Sequence, residues 1–159
     1  PANDRMDSVV EKATELGVAG IQPLVCERSV LRLTGERADK KVAHWQAVAA
    51  SASEQCGRTR VPTVHPVRTL PQWLVGLTSD ATDRRLVLSL HETRPWSVVA
   101  AQDQRLLFLS GPEGGLSDAE ELAALQAGFE PTSLGPRVLR ADTAPIAVLA
   151  ALALQFTPN

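Results

Sequence analysis

Leu109-Ser110-Gly111-Pro112-Glu113-Gly114-Gly115-Leu116-Ser117 follows the apolar run Arg105-Leu106-Leu107-Phe108 and leads into Ser117-Asp118-Ala119-Glu120. An apolar run, a glycine-rich turn and a serine three residues ahead of a glutamate describe a strand that turns into a capped helix. Gly111, Gly114 and Gly115 can take positive φ and, having no Cβ, let a ligand approach the main chain. Alone, such a loop reads equally well as a plain connection. A second loop, Leu134-Gly135-Pro136-Arg137-Val138-Leu139-Arg140-Ala141-Asp142-Thr143-Ala144, leaves the short strand Glu130 to Leu134 and enters an apolar helix. In a parallel sheet, turns of this kind open at the carboxyl ends of the strands, where loops and helix N-termini converge on ligands.

Outward from these loops, strands alternate with helices. Asp7 to Leu16 has the apolar stripe Val9, Val10, Ala13 and Leu16 of a helix, closed by Gly17. A strand is expected over Gly20 to Cys26, extended chain or loop over Ser29 to Thr34, and a long helix over Glu36 to Cys56, ended by Gly57. Thr63 to Val67 contains Pro66 and suits an edge strand, and Pro71 to Leu77 a short helix. Arg85 to Leu90 and Leu106 to Leu109 read as buried strands, with a helix from Ser117 to Ala127 before Gly128. The last helix begins near Asp142 or Thr143 and continues through Ile146 to Leu154. This alternation predicts an α/β fold with a parallel sheet flanked by helices. The last helix is apolar nearly all round, so it is either fully buried within one chain or covered by a second copy.

A chain of 159 residues fits one domain with a proper core, and its 44% hydrophobic and 21% charged residues exclude disorder. The apolar run Ile146 to Leu154 is too short to span a bilayer, and no basic-then-apolar signal precedes the first helix, so a cytoplasmic protein is expected. Cys26 and Cys56 form no CxxC pair and His44, His65 and His91 have no metal-ligand spacing, so no metal is expected. A net charge of -2 argues against a broad phosphate-binding face. However, 13 of the 16 basic residues are arginines, whose planar forks suit phosphate and base contacts; Arg28, Arg32, Arg58, Arg60, Arg137 and Arg140 lie in loops or near element ends. The motifs GxxxxGK[ST] and GxGxxG are missing, which removes support for phosphate transfer or a dinucleotide cofactor.

The two loops, with Glu11-Lys12-Ala13-Thr14-Glu15-Leu16-Gly17-Val18 and Ser53-Glu54-Gln55-Cys56-Gly57-Arg58, resemble the bacterial 16S ribosomal RNA uracil-N3 methyltransferase family of the SPOUT group, in order and over nearly the whole chain. One departure is Asp142, where that family most often has Glu. The resemblance implies a catalytic domain over residues 1 to 159, without the family's N-terminal PUA-like RNA-binding domain. It also implies a deep C-terminal trefoil knot, a homodimer, and 16S rRNA of the small ribosomal subunit as partner. Its cofactor is S-adenosylmethionine, held by three segments: Leu90, His91 and Glu92; Leu109, Ser110, Gly111, Pro112, Glu113, Gly114 and Gly115; and Leu134, Gly135, Val138, Leu139, Arg140, Thr143 and Ala144. His91 and Glu92 read equally as a solvated loop.

Uracil N3 must lose a proton before it is methylated, and the charge spreads onto O2 and O4. An arginine beside those oxygens stabilises it, which makes Arg140 and Arg58 the catalytic candidates. Glu54, Glu113 and Asp142 are proton acceptors or helix caps. Arg58 and Arg137 are the RNA-binding candidates. Two other readings stand beside this one: a SPOUT enzyme that methylates the ribose 2′-oxygen, and a non-catalytic domain that binds S-adenosylmethionine in ribosome assembly.

Overall fold

Apolar residues three and four apart make α1 (Asn3–Glu15) bury Met6, Val9, Val10 and Ala13 against α2 (Gly35–Cys56), which buries Ala38, Trp45, Ala49 and Ala52. The Trp45 Nε1 donates to Asp7 Oδ1 at 2.9 Å, so the polar edge of the indole is satisfied as its ring enters the core. The computed structural model describes residues 3–30, 32–78, 83–89 and 105–155.

The single strand expected over Gly20 to Cys26 is two short ones, β1 (Gly20–Ile21) and β2 (Leu24–Val25). They pair in parallel with β3 (Thr63–Val64) and β4 (Arg68–Thr69), and between the two pairs the second segment carries one more residue than the first. The interruption falls at Pro23 and Pro66, which have no N–H for a ladder. Gln22 fills the gap: its Nε2 donates to Pro66 O at 2.7 Å and Pro23 O at 3.0 Å.

The main sheet has the order β6–β5–β7, all parallel, with β5 (Asp83–Leu88) between β6 (Arg105–Leu109) and β7 (Glu130–Thr132). Helix α3 (Leu70–Val75) precedes it, α4 (Asp118–Gln126) joins β6 to β7, and α5 (Thr143–Gln155) follows. The capping box read from Ser117 and Glu120 is present, with both reciprocal bonds made. The central strand buries Leu86 and Val87, and a second core gathers Val87, Leu109, Leu70, Leu74, Ala124 and Phe129. At the amino end of the sheet, the buried Asp83 carboxylate accepts from Arg105 Nε at 2.8 Å and Nη2 at 2.6 Å.

Helix α5 packs on α1, yet Val148 is its one fully buried apolar residue among the described residues, and Leu154 is 83% exposed. Full burial of this helix within one chain is therefore not what the structure shows. No helix among the described residues is long and apolar enough to cross a membrane. The architecture is α/β, with parallel sheets flanked by helices.

Candidate functional site

Because the three main strands are parallel, their carboxyl ends lie along one edge of the sheet, and the loops after β6 and β7 meet there with the end of β5. Between them is a cleft of about 190 Å³. One wall is Ser110 to Leu116, the other Ser133 to Leu139 with Ala141 and Ala144, and Leu88, Ser89 and Thr132 lie at the strand ends. Ser89 and Thr132 are buried, and Ser89 N donates to Thr132 O at 3.0 Å, so the sheet continues one residue under the cleft. Leu88, Leu116, Leu134, Val138 and Leu139 supply apolar surface, and Arg28, Glu113, Glu121 and Arg137 charge.

The glycines of the first loop divide by what surrounds them. A Cβ on Gly111 would stand 3.0 Å from Leu116 N, and one on Gly114 would stand 3.2 Å from Arg28 Cβ. These two glycines serve the loop's own closure and the packing of Arg28. Both also line the cleft, as the sequence reading expects of cofactor-binding glycines. Gly115 and Gly135 differ: each has positive φ (+71° and +113°), lines the cleft, and has open space where a Cβ would be. They are where a ligand can come against the main chain. The turn is held by Gly115 N donating to Pro112 O at 2.8 Å, and Ser133 Oγ pairs with Gly135, accepting from its N at 3.3 Å and donating to its O at 3.1 Å.

Of the residues expected to hold a cofactor, Ser110, Gly111, Pro112, Glu113, Gly114, Gly115, Leu134, Gly135, Val138, Leu139 and Ala144 line this cleft. Leu109 does not; it is buried in the core and borders an adjoining, mostly apolar cavity of about 730 Å³ between α1, β6 and α5, which shares Ser110 to Glu113 and Ala141 with the cleft. Arg140 and Thr143 are exposed and also stand outside the lining. The Arg140 carbonyl accepts from Thr143 N and Ala144 N, both at 3.0 Å, and starts α5. Among the described residues its guanidinium makes no ion pair with Asp142, whose Oδ1 is buried without a hydrogen-bond partner. Leu90, His91 and Glu92 lie outside the described residues.

Arg58 and Glu54 are not brought to the cleft. The turn at Gly57 sends the Arg58 side chain back to α1, where Nη1 donates to Thr14 O at 2.8 Å and satisfies a terminal carbonyl of that helix. Glu54 is exposed on the last turn of α2. Arg137 does line the cleft and is exposed. No local sequence signal marks Ser89, Thr132, Ser133 or Glu121 as cleft residues. Arg28, noted only as a loop arginine, reaches the glycine loop from 86 positions away, with Nη1 donating to Gly114 O at 3.1 Å. Among the described residues no group of His, Cys, Asp and Glu is arranged to hold a metal. Burial pushes the Cys26 thiol up to about 11, so at neutral pH it is a protonated core residue.

A glycine-walled cleft at the carboxyl edge of a parallel sheet, with polar groups below and apolar walls, is a binding site of an α/β enzyme class. Residues 1–153 match the model of the RNA methyltransferase domain, and the chain belongs to that family. The ribosomal RNA small subunit methyltransferase E of Bacillus subtilis is 32% identical over 164 residues, covering 98% of this chain and 63% of that protein. The protein of the same name from Mycobacterium tuberculosis is 35% identical, covering 96% and 59%. The chain thus spans about three fifths of the length of these relatives. Among solved structures, the methyltransferase E of Neisseria gonorrhoeae, bound to S-adenosyl methionine, superposes with a TM-score of 0.86 at 37% identity, covering 97% of this chain and 63% of that one. A Legionella pneumophila protein in complex with the bound cofactor SAM gives 0.85 at 37% identity, covering 95% and 61%.

Proposed function

We propose that this chain is the catalytic domain of an S-adenosylmethionine-dependent methyltransferase that acts on N3 of a uridine in 16S ribosomal RNA. The observation that carries this is the cleft between Ser110–Leu116 and Ser133–Leu139, in a chain 37% identical to a methyltransferase bound to that cofactor. The residues present fit the group: open main chain at Gly115 and Gly135 meets its polar edges, Leu134, Val138 and Leu139 wall its rings, and hydroxyls at the strand ends face its polar atoms. Bound there, the cofactor supplies an electrophilic methyl group.

The chain's own part is positioning and charge. Arg137, exposed on the cleft wall, holds an RNA phosphate or base near the opening. Arg140, exposed just before α5, stabilises negative charge on the uracil oxygens once N3 has lost its proton. Glu113, which lines the cleft in the first loop, takes that proton. Arg58 holds the end of α1 through Thr14 O and Glu54 stands exposed on α2, so neither is assigned a part at this cleft. The reading further includes a homodimer that covers the apolar face of α5, a knotted C-terminal segment, and an N-terminal RNA-binding domain in the longer protein. It places the protein in the cytoplasm with the ribosome.

Titration of S-adenosylmethionine into the chain without RNA tests the cofactor site. Saturable binding is expected; no binding at millimolar ligand contradicts it.

A further inference from the structure

The turn from Cys26 to Ser29 is tied twice to itself, with Ser29 N donating to Cys26 O at 3.1 Å and Cys26 N donating to Ser29 Oγ at 2.9 Å. It presents Arg28 to the glycine loop. A single nitrogen, Nη1, donates to Gly114 O at 3.1 Å and to Leu116 O at 3.2 Å. The Arg28 stem lies over Gly114, whose missing Cβ makes room for it. Beside this, Glu27 N donates to Glu120 Oε1 at 2.8 Å, while Oε2 of the same carboxylate accepts from Ser117 N at 3.0 Å.

These bonds fix two peptide planes. The plane carrying Gly114 O also carries Gly115 N, held by Pro112 O at 2.8 Å, and the plane carrying Leu116 O also carries Ser117 N, held by Glu120. Between them, the peptide joining Gly115 to Leu116 has no hydrogen-bond partner among the described residues, and it lies at the cleft beside the open face of Gly115. Gly115 and Leu116 are half-buried, so this peptide is open to pair with whatever enters the cleft.

We infer that Arg28 is a positioning residue: it clamps the peptides on either side and so presents the Gly115–Leu116 peptide to the cofactor. The inference rests on the proposed cofactor site and adds a segment, Glu27 to Ser29, that sits outside both cleft loops in the sequence. Because Nη1 makes both bonds, a lysine ammonium can serve the same two carbonyls, and a methionine cannot.

The test is calorimetric titration of S-adenosylmethionine into the wild-type chain and into Arg28→Met, Arg28→Lys and Gly114→Ala, with thermal melts of each. Arg28→Met should weaken the cofactor about tenfold, the equivalent of one oriented hydrogen bond, while its melting temperature stays near that of the wild type. Arg28→Lys should recover most of the affinity. Gly114→Ala, whose new methyl pushes on the Arg28 stem, should also weaken binding, and it serves if the methionine variant does not fold. Wild-type affinity in Arg28→Met or in Gly114→Ala overturns the inference, as does a lysine variant as weak as methionine. A wild-type chain that takes no cofactor instead overturns the cofactor site itself.

Discussion

Gly135 and Gly128 separate backbone strain from ligand contact. Both have positive φ, +113° and +85°, and both have open space where a Cβ would be. Gly128 follows α4 and is absent from the cleft lining, whereas Gly135 faces the cleft. An alanine at either position costs about 1–3 kcal/mol of backbone strain, which in a domain of this size is a fall of several degrees in melting temperature. The added methyl meets no protein atom within 4 Å in either case, so no steric term adds to the strain. In Gly135→Ala the methyl is added at the wall of the cleft assigned to S-adenosylmethionine, and the expected loss is at least tenfold in affinity, about 1.4 kcal/mol. Thermal melts and calorimetric titration of both variants decide it. Similar melts with cofactor affinity lost only in Gly135→Ala support the site; wild-type affinity in Gly135→Ala, or an equal loss in Gly128→Ala, refutes the reasoning.

Asp83→Asn removes a buried charge paired with Arg105 and should cost about 1–3 kcal/mol of stability, with cofactor affinity unchanged because Asp83 is at the opposite end of the sheet; a cofactor defect in a folded variant contradicts this. Cys26 and Cys56 should differ in alkylation at pH 7.5: the exposed Cys56 labels, and Cys26, buried with its thiol pushed up to about 11, does not, as peptide mass mapping of the native protein can show. Since folding raises the Cys26 value from 9.0, the neutral thiol's contribution to stability is complete below pH 9 and is lost as pH rises towards 11; melts across that range that show no added loss relative to Cys26→Ala contradict it. Light scattering at micromolar concentration should give a dimer if a second copy covers α5 as proposed; a monomer removes the proposed interface. With a net charge of -2, the chain alone should methylate small subunits more slowly than the longer Bacillus subtilis relative, and equal rates would place RNA recognition within these 159 residues.

Local signals carried the sequence reading furthest where a few adjacent residues set the structure. Ser117 and Glu120 announced the start of α4, Gly57 the end of α2, and the apolar runs gave β5 and β6 within two or three residues. Contacts between residues distant in the chain leave no such local signal. Nothing near Gly114 indicates that its missing Cβ accommodates Arg28, nor does anything near Arg58 indicate that its guanidinium closes α1. Pro23 was visible, but its effect depends on the pairing with Thr63–Thr69, where Gln22 bridges the gap. Most of the cleft wall was legible because it consists of two continuous loops. Ser89, Thr132 and Glu121 were not, since their place at the cleft follows from the parallel order β6–β5–β7 rather than from any local pattern.

The central claim is methylation at N3 of a uridine in small-subunit RNA, and nucleoside mass spectrometry of 16S rRNA tests it most directly. RNA from a strain lacking the gene should have lost N3-methyluridine and regained it when the gene is returned. An unchanged N3-methyluridine level, or loss of a ribose 2′-O-methyl mark instead, contradicts the account.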